Sequence, residues 1–145
     1  MASWTAEARQ FLERHRVGHL ATAGADAAPH VVPVCYALDA AALYFVADEK
    51  PKRRPARQLQ RLLNLRQNPR AALVVDDYDD DWTRLAWLLV RGPARIVTDP
   101  TMHARALALL RARYPQYLAM SLDDRERNPV VRLEAVRVTL WRATG

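Results

Sequence analysis

Apolar side chains recur along this chain with two spacings, and the switches between them mark out its elements. Trp4, Ala8, Phe11 and Leu12 fall at i, i+4, i+7 and i+8, one face of a helix that Ser3 or Thr5 can cap. Gly18 follows the end of that helix. His19 to Ala23 reads as a strand, Gly24 to Ala28 as a turn, and Pro29 to Leu38 as one long β-branched strand. A second turn at Asp39 to Ala41 leads into Ala42 to Ala47, completing a three-strand meander. Leu59, Leu62 and Leu63 share a face within a helix over Ala56 to Arg66, which Asn68-Pro69 stops. Arg70 to Asp76 is a buried strand, and Trp82 leads into another that runs through Val97. Gly92-Pro93 interrupts that strand and suits a bulge or an edge better than a central, fully paired register. Asp99 caps and Pro100 opens a helix to about Arg113. A less regular segment follows to Asn128, and Val130 to Glu134 and Arg137 to Ala143 are the last strands.

The order helix, three strands, helix, two strands, helix, two strands implies an α+β domain dominated by a closed or nearly closed antiparallel sheet. A chain of 145 residues, half of them apolar, builds one core, so residues 1–145 read as a single domain. No run of eighteen apolar residues occurs and the first sixteen residues are polar, which points to a soluble, cytoplasmic protein with no membrane partner. Cys35 is the only cysteine, so neither an internal disulfide nor a thiolate zinc cage can form within one chain, and it reads as buried packing.

The net charge of +6 is carried by arginine, the only lysines being Lys50 and Lys52. Between Lys50 and Arg70 there are eight basic residues and no acidic one. Such a loop-helix is either a solvated face or a cradle for an anion. A nucleic-acid role fits the charge, but the segment has no interleaved aromatics and the chain has no nucleic-acid-binding signature, so none is expected. Asp76, Asp77, Asp79, Asp80 and Asp81 read as a solvated loop without the spacing of a calcium site. His15, His19, His30 and His103 are isolated, and no nucleophile or phosphate-loop motif occurs. No catalytic side chain and no metal ligand emerges.

Arg16-Val17-Gly18-His19-Leu20-Ala21-Thr22 followed by Pro29-His30-Val31-Val32-Pro33-Val34 resembles the first two strands of the pyridoxamine 5'-phosphate oxidase-like split barrels. Leu43-Tyr44-Phe45, the run Arg61 to Arg70 and Val130-Val131-Arg132-Leu133 follow in the family's order. Asp48-Glu49-Lys50-Pro51-Lys52 and Asp81-Trp82-Thr83-Arg84-Leu85-Ala86-Trp87 resemble a subgroup of coenzyme F-420 dependent oxidoreductases. The resemblance implies an FMN-binding type of split β-barrel with about six to seven mostly antiparallel strands and about three helices. It further implies a homodimer with the cofactor in a groove at the interface, and hydride transfer to a small organic substrate. Val32, Pro33 and Val34 would lie beside the ring. Arg61 would hold the phosphate, helped by Lys50, Lys52, Arg53 and Arg57. Trp141 would lie against the cofactor, and Trp82 and Trp87 would wall the substrate groove, core or dimer packing being their other reading. Coenzyme F-420, a deazaflavin, is the first cofactor expected and FMN the alternative; a non-catalytic cofactor carrier is a third reading. Two departures stand out: Asp26-Ala27-Ala28 replaces the usual Asp-Gly turn, and Ala86 stands where an aromatic residue is common.

Overall fold

The computed structural model describes residues 4–47 and 59–144. Thr5 accepts a hydrogen bond from the Ala8 amide and starts α1 (Ala6–Arg14), which buries Ala8, Phe11 and Leu12. Eight strands follow: β1 (Val17–Ala23), β2 (Pro29–Cys35), β3 (Ala37–Leu38), β4 (Ala42–Val46), β5 (Arg70–Asp77), β6 (Ala86–Ile96), β7 (Val130–Glu134) and β8 (Arg137–Arg142). Between β4 and β5 lies α2 (Gln60–Gln67), and between β6 and β7 lies α3 (Pro100–Arg113), capped by Asp99. The strand order is β2-β1-β5-β6-β7-β4-β3, with β8 also beside β6 and every pairing antiparallel. The two ends of that order, β2 and β3, are separated in sequence only by Tyr36. The sheet therefore curls back on itself as a split barrel, the α+β architecture read from the sequence.

The strand expected over Pro29 to Leu38 is broken at Tyr36, because no neighbouring strand meets its backbone there. The Tyr36 amide donates instead to the Tyr114 hydroxyl at 2.9 Å, and that hydroxyl lies 2.6 Å from the Tyr36 carbonyl. A phenol from the end of α3 thus stands in for a strand, which satisfies buried backbone groups that would otherwise be orphaned.

Gly92-Pro93 proves to be part of a central strand, contrary to the edge or bulge expectation. β6 pairs with β5 from Ala86 to Pro93, while its other side pairs with β8 over Ala86 to Arg91 and with β7 over Ala94 to Ile96. The Gly-Pro step is where the partner changes, so no ladder is broken by the missing proline N–H. A Cβ on Gly92 would sit 2.0 Å from the Glu134 carbonyl oxygen, which shows how tightly the β7–β8 corner crosses it. Asp77, expected in a solvated loop, ends β5 and is gripped by Arg14 and His15.

Two apolar clusters result. One fills the barrel with Leu20, Leu73, Leu88 and Leu133, closed by Phe11 of α1 and Leu62 of α2. The other lies under α3 and joins Tyr44, Leu107, Leu110 and Tyr117. No described helix is long and apolar enough to cross a membrane.

Candidate functional site

Strand alternation divides the predicted ring neighbours. Val34 is buried and Val32 packs against the core, whereas Val31 and Pro33 stand exposed on the outer face. Only Pro33 of the three predicted residues presents its side chain outward; Val32 and Val34 can offer backbone groups alone. β2 pairs with β1 and with no other described strand, so among the described residues its second edge carries no strand partner.

Register arranges the outer face in rows. One row runs Pro33, His19, Val74, Leu89, Thr139 across β2, β1, β5, β6 and β8. A neighbouring row runs Val31, Ala21, Ala72, Arg91, Arg137. Trp87 and Trp141 are direct cross-strand partners, stacked with centroids 6.1 Å apart at 18°, an arrangement aromatic pairs favour. Trp82 is 69% exposed in the 3-10 turn Trp82–Arg84, just ahead of β6. Ala143 donates to the Leu85 carbonyl at 2.9 Å and ties the end of β8 to this border. Trp82, Trp87 and Trp141 therefore gather on one border of the face, and Pro33 lies on the other. Four strand spacings separate β2 from β8, roughly 19 Å along the sheet. Within one chain the two halves of the expected groove do not meet.

Of the basic residues, Arg61 sits in the first turn of α2 and is half-buried. Lys50, Lys52, Arg53 and Arg57 lie outside the described residues. The position of α2 is set by polar contacts: Asn64 Nδ2 donates to Thr22 Oγ1 at 3.1 Å, and the Ala25 amide donates to Gln67 Oε1 at 2.8 Å.

A further cavity, of about 480 Å³, escaped the sequence reading. Arg16, Cys35, Arg113, Tyr114, Tyr117 and Met120 line it, drawn from β1's approach, the end of β2 and the end of α3. Arg113 is held in place: its Nε donates to the Tyr114 hydroxyl at 3.2 Å, its Nη2 to the Leu12 carbonyl at 3.0 Å and to the His15 carbonyl, and it lies 4.9 Å from the Tyr36 ring centre. Burial pushes the Tyr36 and Tyr114 hydroxyls up, Arg113 opposing, so both stay neutral hydrogen-bonding groups. These residues share no motif. Their convergence depends on tertiary contacts spanning about a hundred residues, which is why spacing gave no signal.

The sequence profile of the pyridoxamine 5'-phosphate oxidase family matches residues 4–144. The chain belongs to this family. Solved structures agree on the fold. A conserved hypothetical protein of Mycobacterium tuberculosis is 25% identical, with a TM-score of 0.75 over 99% of this chain and 87% of that one. The haem storage protein HutZ of Vibrio cholerae is 15% identical, with a TM-score of 0.73 over 97% and 95%. A FAD-binding protein of Mesorhizobium loti is 23% identical, with a TM-score of 0.67 over 96% and 95%. No curated protein matches the chain.

Proposed function

We propose that this member of the family is an oxidoreductase that binds coenzyme F-420 along β2 and moves a hydride between it and a small organic substrate, as a homodimer. The observation that carries the reading is the outer face itself. An open strand edge with exposed Val31 and Pro33 lies at one border, and a stacked tryptophan pair lies at the other. A flat ring with a polar rim suits an open edge: its polar atoms meet unpaired backbone groups of β2 while its face lies on apolar side chains. A second copy, docked by the same face, brings its Trp87 and Trp141 opposite β2 and closes the groove that one chain leaves open.

Bound deazaflavin supplies the two-electron chemistry. The chain's part is to hold and orient it: β2 backbone at the ring, and Arg61 with Lys50, Lys52, Arg53 and Arg57 at the phosphate. Eight positive charges in the window from Lys50 to Arg70 complement a coenzyme that carries both a phosphate and an oligoglutamate tail; FMN, with one phosphate, needs fewer. No described side chain is required as acid or base in this scheme.

Because the solved relatives include a haem storage protein and a FAD-binding protein, the test sets the ligands against each other. Purified protein is titrated with F-420, FMN and haem, read by tryptophan quenching. The expected result is F-420 binding at about micromolar affinity or tighter, with the other two weaker. Arg61→Ala combined with Lys52→Ala weakens F-420 binding by about tenfold or more. Unchanged affinity in that variant removes the phosphate site, and tight haem or FMN binding with none for F-420 overturns the assignment.

A further inference from the structure

The Arg16–Arg113 cavity has the makings of a binding site in its own right. Arg113 commits Nε and Nη2 to protein oxygens and Arg16 commits Nη1 to the Arg113 carbonyl at 2.6 Å. Nη1 of Arg113 and Nε and Nη2 of Arg16 are left with hydrogens to donate. No carboxylate-bearing residue is among those lining the cavity, whereas Arg16 and Arg113 both are. Two like charges on one cavity wall, Arg113 fixed by hydrogen bonds and ring contacts and exposed Arg16 tied to the Arg113 carbonyl, form a partly preorganised place for an anion. Arg16 is itself 5.8 Å from the Tyr114 ring centre, so both cations are steered by the same aromatic cluster. Tyr114, Pro115, Tyr117 and Met120 give the rest of the wall a mainly apolar and aromatic character, with Gln116 and Cys35 completing it. About 480 Å³ is ample for a small organic molecule and larger than a bare inorganic ion requires.

The position of the cavity matters too. Cys35 follows Pro33 by two residues on the same outward side of β2, so the cavity opens roughly 7 Å along the strand from Pro33.

We infer that this cavity binds the carboxylate of a small organic acid, with Arg16 and Arg113 holding the charge and Tyr114, Tyr117 and Met120 enclosing the apolar body. Its role as the acceptor site beside the redox cofactor rests on the proposed function; its affinity for carboxylates does not. Benzoate is the probe, and benzamide its neutral counterpart of the same shape. Calorimetry on the full chain without cofactor shows benzoate binding at about millimolar affinity or tighter and benzamide binding at least about fivefold more weakly. Arg16→Gln, a change at an exposed side chain, removes most of the difference between the two. Saturating benzoate also slows alkylation of Cys35, the only thiol in the chain. Equal binding of benzoate and benzamide, or an Arg16→Gln variant that keeps the wild-type preference, overturns the inference. F-420 binding without a benzoate preference sinks this site alone. A benzoate preference without any cofactor binding leaves the site standing and sinks the proposed function.

Discussion

Asp77 shows how far a single side chain can depart from its local reading. It lies in a run of five aspartates within six positions, yet its carboxylate accepts two hydrogen bonds from Arg14, at 3.1 and 2.9 Å, and one from His15 at 2.6 Å. The Arg14 hydrogen bonds hold its carboxyl below the usual carboxylate range, His15 adding to the effect and partial burial opposing it. A carboxyl whose folded-state value is lowered stabilises the fold fully above its unfolded-state value, and that contribution fades as pH drops through the folded-state value. The stability difference between wild type and Asp77→Asn is therefore flat above about pH 5 and shrinks below about pH 4. Its plateau is small, on the order of 0.5–1 kcal/mol, because the pair is partly exposed. Urea denaturation of both proteins between pH 2.5 and 6 measures this, and a gap that widens on acidification contradicts it. The sequence showed the charge of this residue, not its partners, which lie 62 and 63 positions away.

Among the elements, local patterns located most helices and strands but missed what interrupts or joins them. Thr5 and Asp99 cap their helices as their positions suggested, and β1 and β5 fall on stretches that read as strands, although the in-out alternation of β5 is hidden by its continuous apolar run. The break at Tyr36 is not, since it needs the hydroxyl of Tyr114 from 78 residues away. Likewise Gly92-Pro93 reads as a disruption in isolation and becomes a junction only when β7 and β8 meet on one side of β6. That junction makes a sharp prediction. At Gly92 an added methyl meets the Glu134 carbonyl, backbone that cannot rotate away, whereas at Gly24 it meets only the ends of the Gln67 and Asn64 side chains. Gly92→Ala costs about 3 kcal/mol or more by overpacking and backbone displacement, and Gly24→Ala substantially less. Comparing the two in chemical denaturation tests the crossing, and equal losses refute it.

At the scale of the molecule, the barrel was legible because its order of strands and helices admits few closed arrangements, and because resemblance to the family runs along nearly the whole chain. The candidate site was legible only in part. Sequence reasoning put Pro33, Trp87 and Trp141 in one groove; a single chain sets Pro33 and the tryptophans on opposite borders of one face. Something must cover that face if they are to act together, and its chemistry points to another copy. Val31 is 64% exposed and Val17 46%, and with Pro33, Ala21, Ala72, Val74 and Leu89 they surround exposed His19 in a mostly apolar tract crossing four strands. Mostly apolar surface with an occasional polar side chain is what homodimers bury, at about 800 Å² per partner. An isologous dimer uses each residue twice, so a charge placed near its centre is felt twice. Val31→Asp introduces two carboxylates into the interface without touching the barrel core. The expected outcome in sedimentation velocity is a dimer for the wild type and a monomer for Val31→Asp at the same concentration, with the variant's thermal midpoint for barrel unfolding otherwise close to that of a monomeric control. F-420 affinity falls in parallel, because the partner's Trp87 and Trp141 leave the groove and the new carboxylate at the edge of β2 repels an anionic coenzyme. A variant that stays dimeric, or a monomer that keeps full affinity for the cofactor, places the binding groove within one chain and separates the tryptophan pair from it.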